Sequence, residues 1–182
     1  MAMNDSVEAP RTAANAPPST PPPDEGATQS QSAPPDSPST GRTASPEAVA
    51  RRLIEDGFSR GHVDVADELV AEDCVEHQDF GANYPRGPAG ARAVIASLHQ
   101  AFSDYRLTIE DLCVAGDVVW TRNLATGTND GPFLGNAPTH RSMRVTVFDV
   151  MRVVHGKVVE HWGVPDRLGV LLQLGALQLP RR

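Results

Sequence analysis

The chain has 182 residues, a formal net charge of −7 and two cysteines. No basic stripe of the kind that binds nucleic acid is visible, and no stretch approaches the ~18 apolar residues of a membrane span. Cys74 and Cys113 have neither a CxxC partner nor a histidine at ligand spacing, which predicts two buried free thiols in a reducing compartment.

Residues 1–45 hold nine of the sixteen prolines and twelve Ser or Thr. They contain no Phe, Trp, Tyr, Leu or Ile, and Val7 is the single β-branched aliphatic. Such a segment cannot bury enough apolar surface to offset an ordering entropy of roughly 1–2 kcal/mol per residue, so it is expected to be a disordered tail. Its five acids against two arginines argue against a presequence, and Met1–Pro10 lacks the basic start and apolar run of a signal peptide. A cytoplasmic protein is expected. Residues 46–182 carry every aromatic and are large enough for one core.

Within that domain Ser45-Pro46-Glu47 reads as a helix start, with Ser as cap, Pro at the first turn and an early acid. Val49, Ala50, Leu53, Ile54 and Phe58 follow at helical spacing, and Gly61 is the expected stop. A short helix from Asp64 and a strand over 74–80 come next. Gly81, Pro85, Gly87 and Pro88 mark a turn-rich stretch, and residues 89–102 form a third helix. After Ser103 the apolar period changes to two. Strands are expected from Tyr105, over 118–128, over 144–154 and over 157–164, with turns at Gly116-Asp117 and His155-Gly156 and a loop over 129–140. Asp166 caps a last helix that ends at Gly175. Helices followed by an antiparallel meander give an α+β fold, with helices on one face of a curved sheet and a pocket at its open end.

The strand around Asp149 carries Val145, Val147, Asp149, Met151 and Val153 on one face, so a single carboxylate interrupts an apolar row. A three-residue turn with Gly156 as the left-handed residue would set Asp149 opposite His161. A two-residue turn would set it opposite Trp162 and would require His155 at positive φ, for which His is a poor choice. A carboxylate beside an imidazole in an apolar pocket is a workable proton-transfer pair; it is equally a pairing that can simply hold two strands together. Trp120 and Arg122 share a strand face, one to line the pocket and the other to bind an oxyanion. His77 is a further inward candidate, and Phe133 with Leu134 could cap the pocket. His99, His140 and His155 are expected at the surface. The histidines lack ligand spacing, so no metal is expected, and Gly127, Gly131 and Gly135 open no helix, so no phosphate cradle is implied.

Three segments resemble one known family. They are Gly127-Thr128 through Gly131-Pro132-Phe133-Leu134-Gly135-Asn136-Ala137-Pro138-Thr139; Met151-Arg152-Val153 with Gly156-Lys157-Val158-Val159-Glu160-His161-Trp162; and Asp166 with Leu171-Leu172-Gln173-Leu174-Gly175. Together they resemble the SnoaL-like polyketide cyclases, also known as ester cyclases, over roughly residues 46–178. The resemblance implies an NTF2-like cone, in which a curved antiparallel sheet wraps around helices to enclose a central apolar pocket. It also implies a homodimer and an intramolecular aldol ring closure without metal or cofactor. It further implies an acid near the end of the last strand and a His one strand over. Aligned through Gly156-Lys157 and His161, the acid's position falls at Gly163 and the neighbouring His position at Asp149, so the polar pair is rearranged.

Two function classes follow. In the first, Asp149 and His161 are catalytic and remove a proton α to a carbonyl of a small apolar or aromatic molecule, with Arg122 or His77 on the oxyanion and Trp120 and Phe133 against the substrate. In the second, which the missing acid at 163 favours, the pocket only binds a hydrophobic metabolite or the domain serves as a dimeric scaffold. Hydrolysis ranks below both, because Asp149 has no second acid on its face.

Overall fold

The computed structural model describes residues 44–81, 84–178 and 180. The expected tail, apart from residues 44 and 45, lies outside the described residues. Helix α1 (Pro46–Arg52) starts as its sequence predicts: the Ser45 hydroxyl accepts from the Ala48 amide at 3.2 Å, and Pro46 occupies the first turn. The apolar spacing beyond it reads as plain α-helix, yet Leu53–Ser59 winds as a wider π-helical segment. That widening keeps Leu53 and Ile54 buried and brings Leu53, Ile54 and Phe58 together onto the wall of one cavity.

After the short helix α2 (Val65–Leu69), strand β1 runs Val70–Glu76, earlier than the stretch over 74–80 that the sequence suggests. Residues 77–80 leave the strand because Asp79 Oδ1 accepts from the Gly81 amide at 2.8 Å, a local turn that competes with pairing. Helix α3 (Gly87–Ala101) follows, then β2 (Arg106–Ala115), β3 (Val118–Thr128), β4 (Ser142–Val154), β5 (Lys157–Pro165) and α4 (Arg167–Leu174). Asp166 caps α4 through the Gly169 amide, and Gly175 ends it at φ 73°.

The sheet order is β1-β5-β4-β3-β2. The meander β2–β5 is antiparallel, as its alternating pattern predicts, while β1 joins the far edge parallel to β5. One face of the sheet is buried with α1, including Val119, Ala125, Val145, Met151 and Val158. Among the described residues, no helix is long and apolar enough to cross a membrane.

The β4–β5 hairpin decides which side chains share a face. Its turn has two residues, with His155 at φ 52° and Gly156 at φ 78°, the left-handed pair of a type I′ turn. The expected three-residue turn is therefore incorrect, and His155 accepts the conformation glycine usually supplies. Val153 pairs with Val158, but Arg152 pairs with Glu160, so Val159 is an extra residue in β5. This bulge shifts the register by one and exchanges the faces of everything beyond it. His161 consequently lies opposite Met151, and Asp149 lies opposite Gly163 rather than His161 or Trp162.

Gly131 marks a close approach of the loop after β3 to the end of α3. Its amide donates to the Ala101 carbonyl at 3.1 Å, and a Cβ there would lie 1.9 Å from the Gln100 carbonyl oxygen. Gly131→Ala is expected to lower stability by about 1–3 kcal/mol through this overpacking. A chemical denaturation midpoint equal to wild type would contradict that contact.

Candidate functional site

Asp149 and His161 meet although they are not directly paired. Both face the interior, and the diagonal step across β4 and β5 brings His161 Nε2 to 3.3 Å from Asp149 Oδ1. On the other side of the ring, His161 Nδ1 lies 2.7 Å from Glu76 Oε2. Glu76 reaches it because the parallel β1–β5 pairing sets Glu76 beside His161. The second carboxylate oxygen of Glu76 accepts the Gln78 backbone amide at 2.8 Å. From β3, the fully buried Asn123 donates its amide to Asp149 Oδ2 at 2.7 Å and to Thr121 Oγ1 at 2.9 Å. Asp149, His161, Glu76 and Gln78 form a polar section in the wall of a cavity of about 600 Å³. The remaining wall is largely apolar, with Leu53, Phe58, Phe102, Val145 and Met151 among its members.

The other sequence candidates divide. Phe133 does line the cavity, packed edge-on to Phe102 at 5.1 Å between ring centres, and Leu134 lines it beside Phe133. Trp120 and Arg122 do not. The inward phase of β3 is Val119, Thr121, Asn123 and Ala125, so Trp120 is exposed on the outer face, and Arg122 there pairs with Asp111 and Glu110. His77 also lies outside the cavity lining, stacked on Trp162 at 4.3 Å with Nε2 2.9 Å from Glu160 Oε1. His99 is half-buried and bonds the Phe58 carbonyl at 2.8 Å, which gives it a packing role. Cys113 is exposed, against the expectation that both thiols are buried.

Glu76, Gln78, Thr121 and Asn123 are the polar residues that the sequence reading passed over. Thr121 and Asn123 carried a signal: they occupy the same alternation phase as Val119 and Ala125, and short polar residues are easier to bury there than Trp and Arg. Glu76 and Gln78 carried none, because their partner strand lies 85 residues away for the Glu76–His161 pair. Among the described residues, no group of three or more His, Cys, Asp or Glu is placed to hold a metal ion.

Burial is the largest single influence on His161 and pushes its pKa down. The hydrogen bonds and charges of Asp149 and Glu76 together outweigh it and push the imidazole up to about 9, so the ring is cationic at neutral pH. Burial and the Asp149 charge push the Tyr105 phenol well up, and burial with the acids at 76, 73 and 160 pushes the Cys74 thiol up to about 11. Cys74 is thus no nucleophile at neutral pH. Because the folded pKa of His161 exceeds its ordinary 6.5, its stabilising contribution is complete below pH 6.5 and is lost as pH rises through about 9. The upper limit is about 3 kcal/mol. Denaturation curves across this range should show the decline in wild type and a flatter profile in His161→Gln; matching slopes would refute the shift.

This arrangement can be set beside known proteins. The family model described as SnoaL-like polyketide cyclase matches residues 48–174. Nogalonic acid methyl ester cyclase of Streptomyces nogalater is 26% identical over 120 residues, covering 65% of this chain and 89% of that protein. Aklanonic acid methyl ester cyclase DnrD of Streptomyces peucetius is 30% identical over 133 residues, covering 70% and 88%. Among solved structures, TsrD from Streptomyces laurentii superposes with a TM-score of 0.66 at 27% identity, covering 72% of this chain and 95% of that one. IdmH from Streptomyces antibioticus gives 0.62 at 33% identity, covering 71% and 98%. The shared cone of helices and curved sheet is the NTF2-like fold, and the chain belongs to the SnoaL-like polyketide cyclase family.

Proposed function

We propose that this chain is a cyclase-type acid–base enzyme acting on a small, flat, mostly apolar carbonyl compound. The observation that carries the reading is the Asp149–His161 contact in the wall of an apolar cavity. The Asp149 carboxylate takes the proton from a carbon α to a carbonyl, and the electron pair of that C–H bond passes to the carbonyl oxygen. The enolate carbon then attacks a second carbonyl carbon of the same molecule. One C–C bond forms, and the resulting alkoxide takes its proton from the Asp149–His161 pair. The product is an isomer of the substrate, so no co-reactant is consumed. His161, charged between two carboxylates, holds Asp149 in place and keeps a proton within reach. Arg122 and His77 take no part, since both lie outside the cavity lining. The free thiols suit a reducing, cytoplasmic setting.

Aklanonic acid methyl ester, for which the S. peucetius relative is named, is the first compound to assay. Asp149→Asn is expected to slow cyclisation about 10²–10⁴-fold. A loss under tenfold would move the base elsewhere. Recovery of a bound but unchanged ester from wild type would make the domain a binding module for such compounds.

We further infer a homodimer through the outer face of the sheet. Trp120, Phe148 and Val164 are 53%, 52% and 64% exposed there, and Phe148 is paired with both Val164 and Arg122. A contiguous apolar patch of this kind on a charged domain marks a protein interface. Light scattering should report a dimer for wild type and a monomer for Trp120→Asp; a monomeric wild type would overturn the assembly.

A further inference from the structure

Gly163 directly faces Asp149 across the β4–β5 ladder, so the side chain absent at 163 would have pointed at the proton-transfer pair. The space is not open. A Cβ at Gly163 would lie 2.6 Å from Gln78 Oε1, 3.1 Å from His161 Cε1 and 3.2 Å from Asp149 Oδ1. The carboxamide of Gln78 therefore sits where a strand side chain would begin, next to both members of the pair. Its approach follows from pairing. Glu76 is aligned with His161, and the His77 amide donates to the His161 carbonyl at 2.9 Å, so the chain two residues past Glu76 arrives alongside Gly163. The Gln78 backbone amide is then held by the Glu76 carboxylate at 2.8 Å.

Gln78 lines the cavity, and its side-chain amide makes no hydrogen bond to another described residue. Its Oε1 is the atom turned toward Gly163, and its two N–H groups have no partner among the described residues. A donor already in place beside a developing negative charge stabilises it far more than water does, because nothing has to reorganise. Arg122 and His77 lie outside the cavity; Arg86, Arg167 and Tyr105 line it, and Gln78 is the lining amide that reaches the space between Gly163 and Asp149.

We propose that Gln78 is a catalytic residue whose amide N–H binds the substrate carbonyl oxygen on which charge develops, and that Gly163 is required because it leaves room for this carboxamide. The catalytic part rests on the proton-transfer reading of Asp149. The ligand class is an aryl ketone, or the aromatic enol it forms, seated with its oxygen at Gln78 and its α-carbon at Asp149.

The probe is 1-tetralone, a bicyclic aryl ketone, labelled with ¹³C at the carbonyl. Two readouts separate the two readings. The carbonyl ¹³C shift of the bound ketone reports a hydrogen bond to oxygen, and loss of the α-proton signal in D₂O reports enolisation. Wild type and Asp149→Asn should both move the carbonyl resonance downfield. Gln78→Ala and the equal-sized Gln78→Glu should both lose that movement and slow exchange about 100-fold. Gly163→Ala should slow exchange in the wild-type background and cost nothing further in Gln78→Ala, since the two changes act on one space. A downfield shift that survives in both Gln78 variants overturns the assignment. A shift that depends on Gln78, with exchange equal in wild type and Asp149→Asn, sustains the Gln78 contact but defeats the Asp149 base. No binding of 1-tetralone by wild type defeats both.

Discussion

The extra residue in β5 is the constraint on which the site depends. Without Val159 as a bulge, the two-residue turn at His155-Gly156 would carry Val158, Glu160 and Trp162 on the inner face. A charged carboxylate and a bulky indole would then occupy the wall where the cavity now lies. With the bulge, His161, Gly163 and Pro165 turn inward, while Glu160 and Trp162 turn outward to meet Arg152 and His77. One backbone irregularity therefore chooses between a ligand pocket and a plugged sheet. Bulges act in this way because side-chain direction in a strand has a period of two, so any single insertion reverses it.

The second organising element is Glu76. Its two oxygens hold two different parts of the site, His161 and the backbone of Gln78. With Asp149, which contributes more, it also raises the His161 pKa against the effect of burial. Asn123 completes the arrangement from β3 by holding the oxygen of Asp149 that His161 does not touch. Four strands, β1, β3, β4 and β5, and the loop after β1 thus converge on one polar cluster. A buried polar cluster is costly unless its members are bonded, and here nearly every atom is. The exception is Asn123 Oδ1, which has no partner among the described residues. The largely apolar lining around the pair lowers the local dielectric, which strengthens each of these interactions.

The outer face of the same sheet follows different rules. Arg122 bridges to Asp111 and Glu110, and Arg152 to Asp117 and Glu160, in exposed pairs that contribute little to stability. They do frame the apolar row of Trp120, Phe148 and Val164, and so give that face an edge. The two faces of one antiparallel sheet divide the work. Inward positions line the cavity, and outward positions carry exposed ion pairs and an exposed apolar row.

Element types and order were legible from residues alone. Ser45-Pro46, the period-two runs from Arg106 to Val164 and the Asp166 and Gly175 caps are local signals, and the structure places helices, strands and caps there. Asp149 was legible as well, because one carboxylate in an aliphatic row is conspicuous without any partner in view. Its contact with His161 was expected for an incorrect reason: the turn is shorter than supposed, and a bulge restores the meeting diagonally. Sequence could not show that bulge, since Val158-Val159-Glu160 alternates plausibly either way. Nor could it show β1 running parallel to β5, which alone brings Glu76 and Gln78 to the site, or that Trp120 and Arg122 face outward. Local propensity and periodicity fix what each segment is; register and the pairing of distant strands, set only when the sheet assembles around its core, fix which side chains meet.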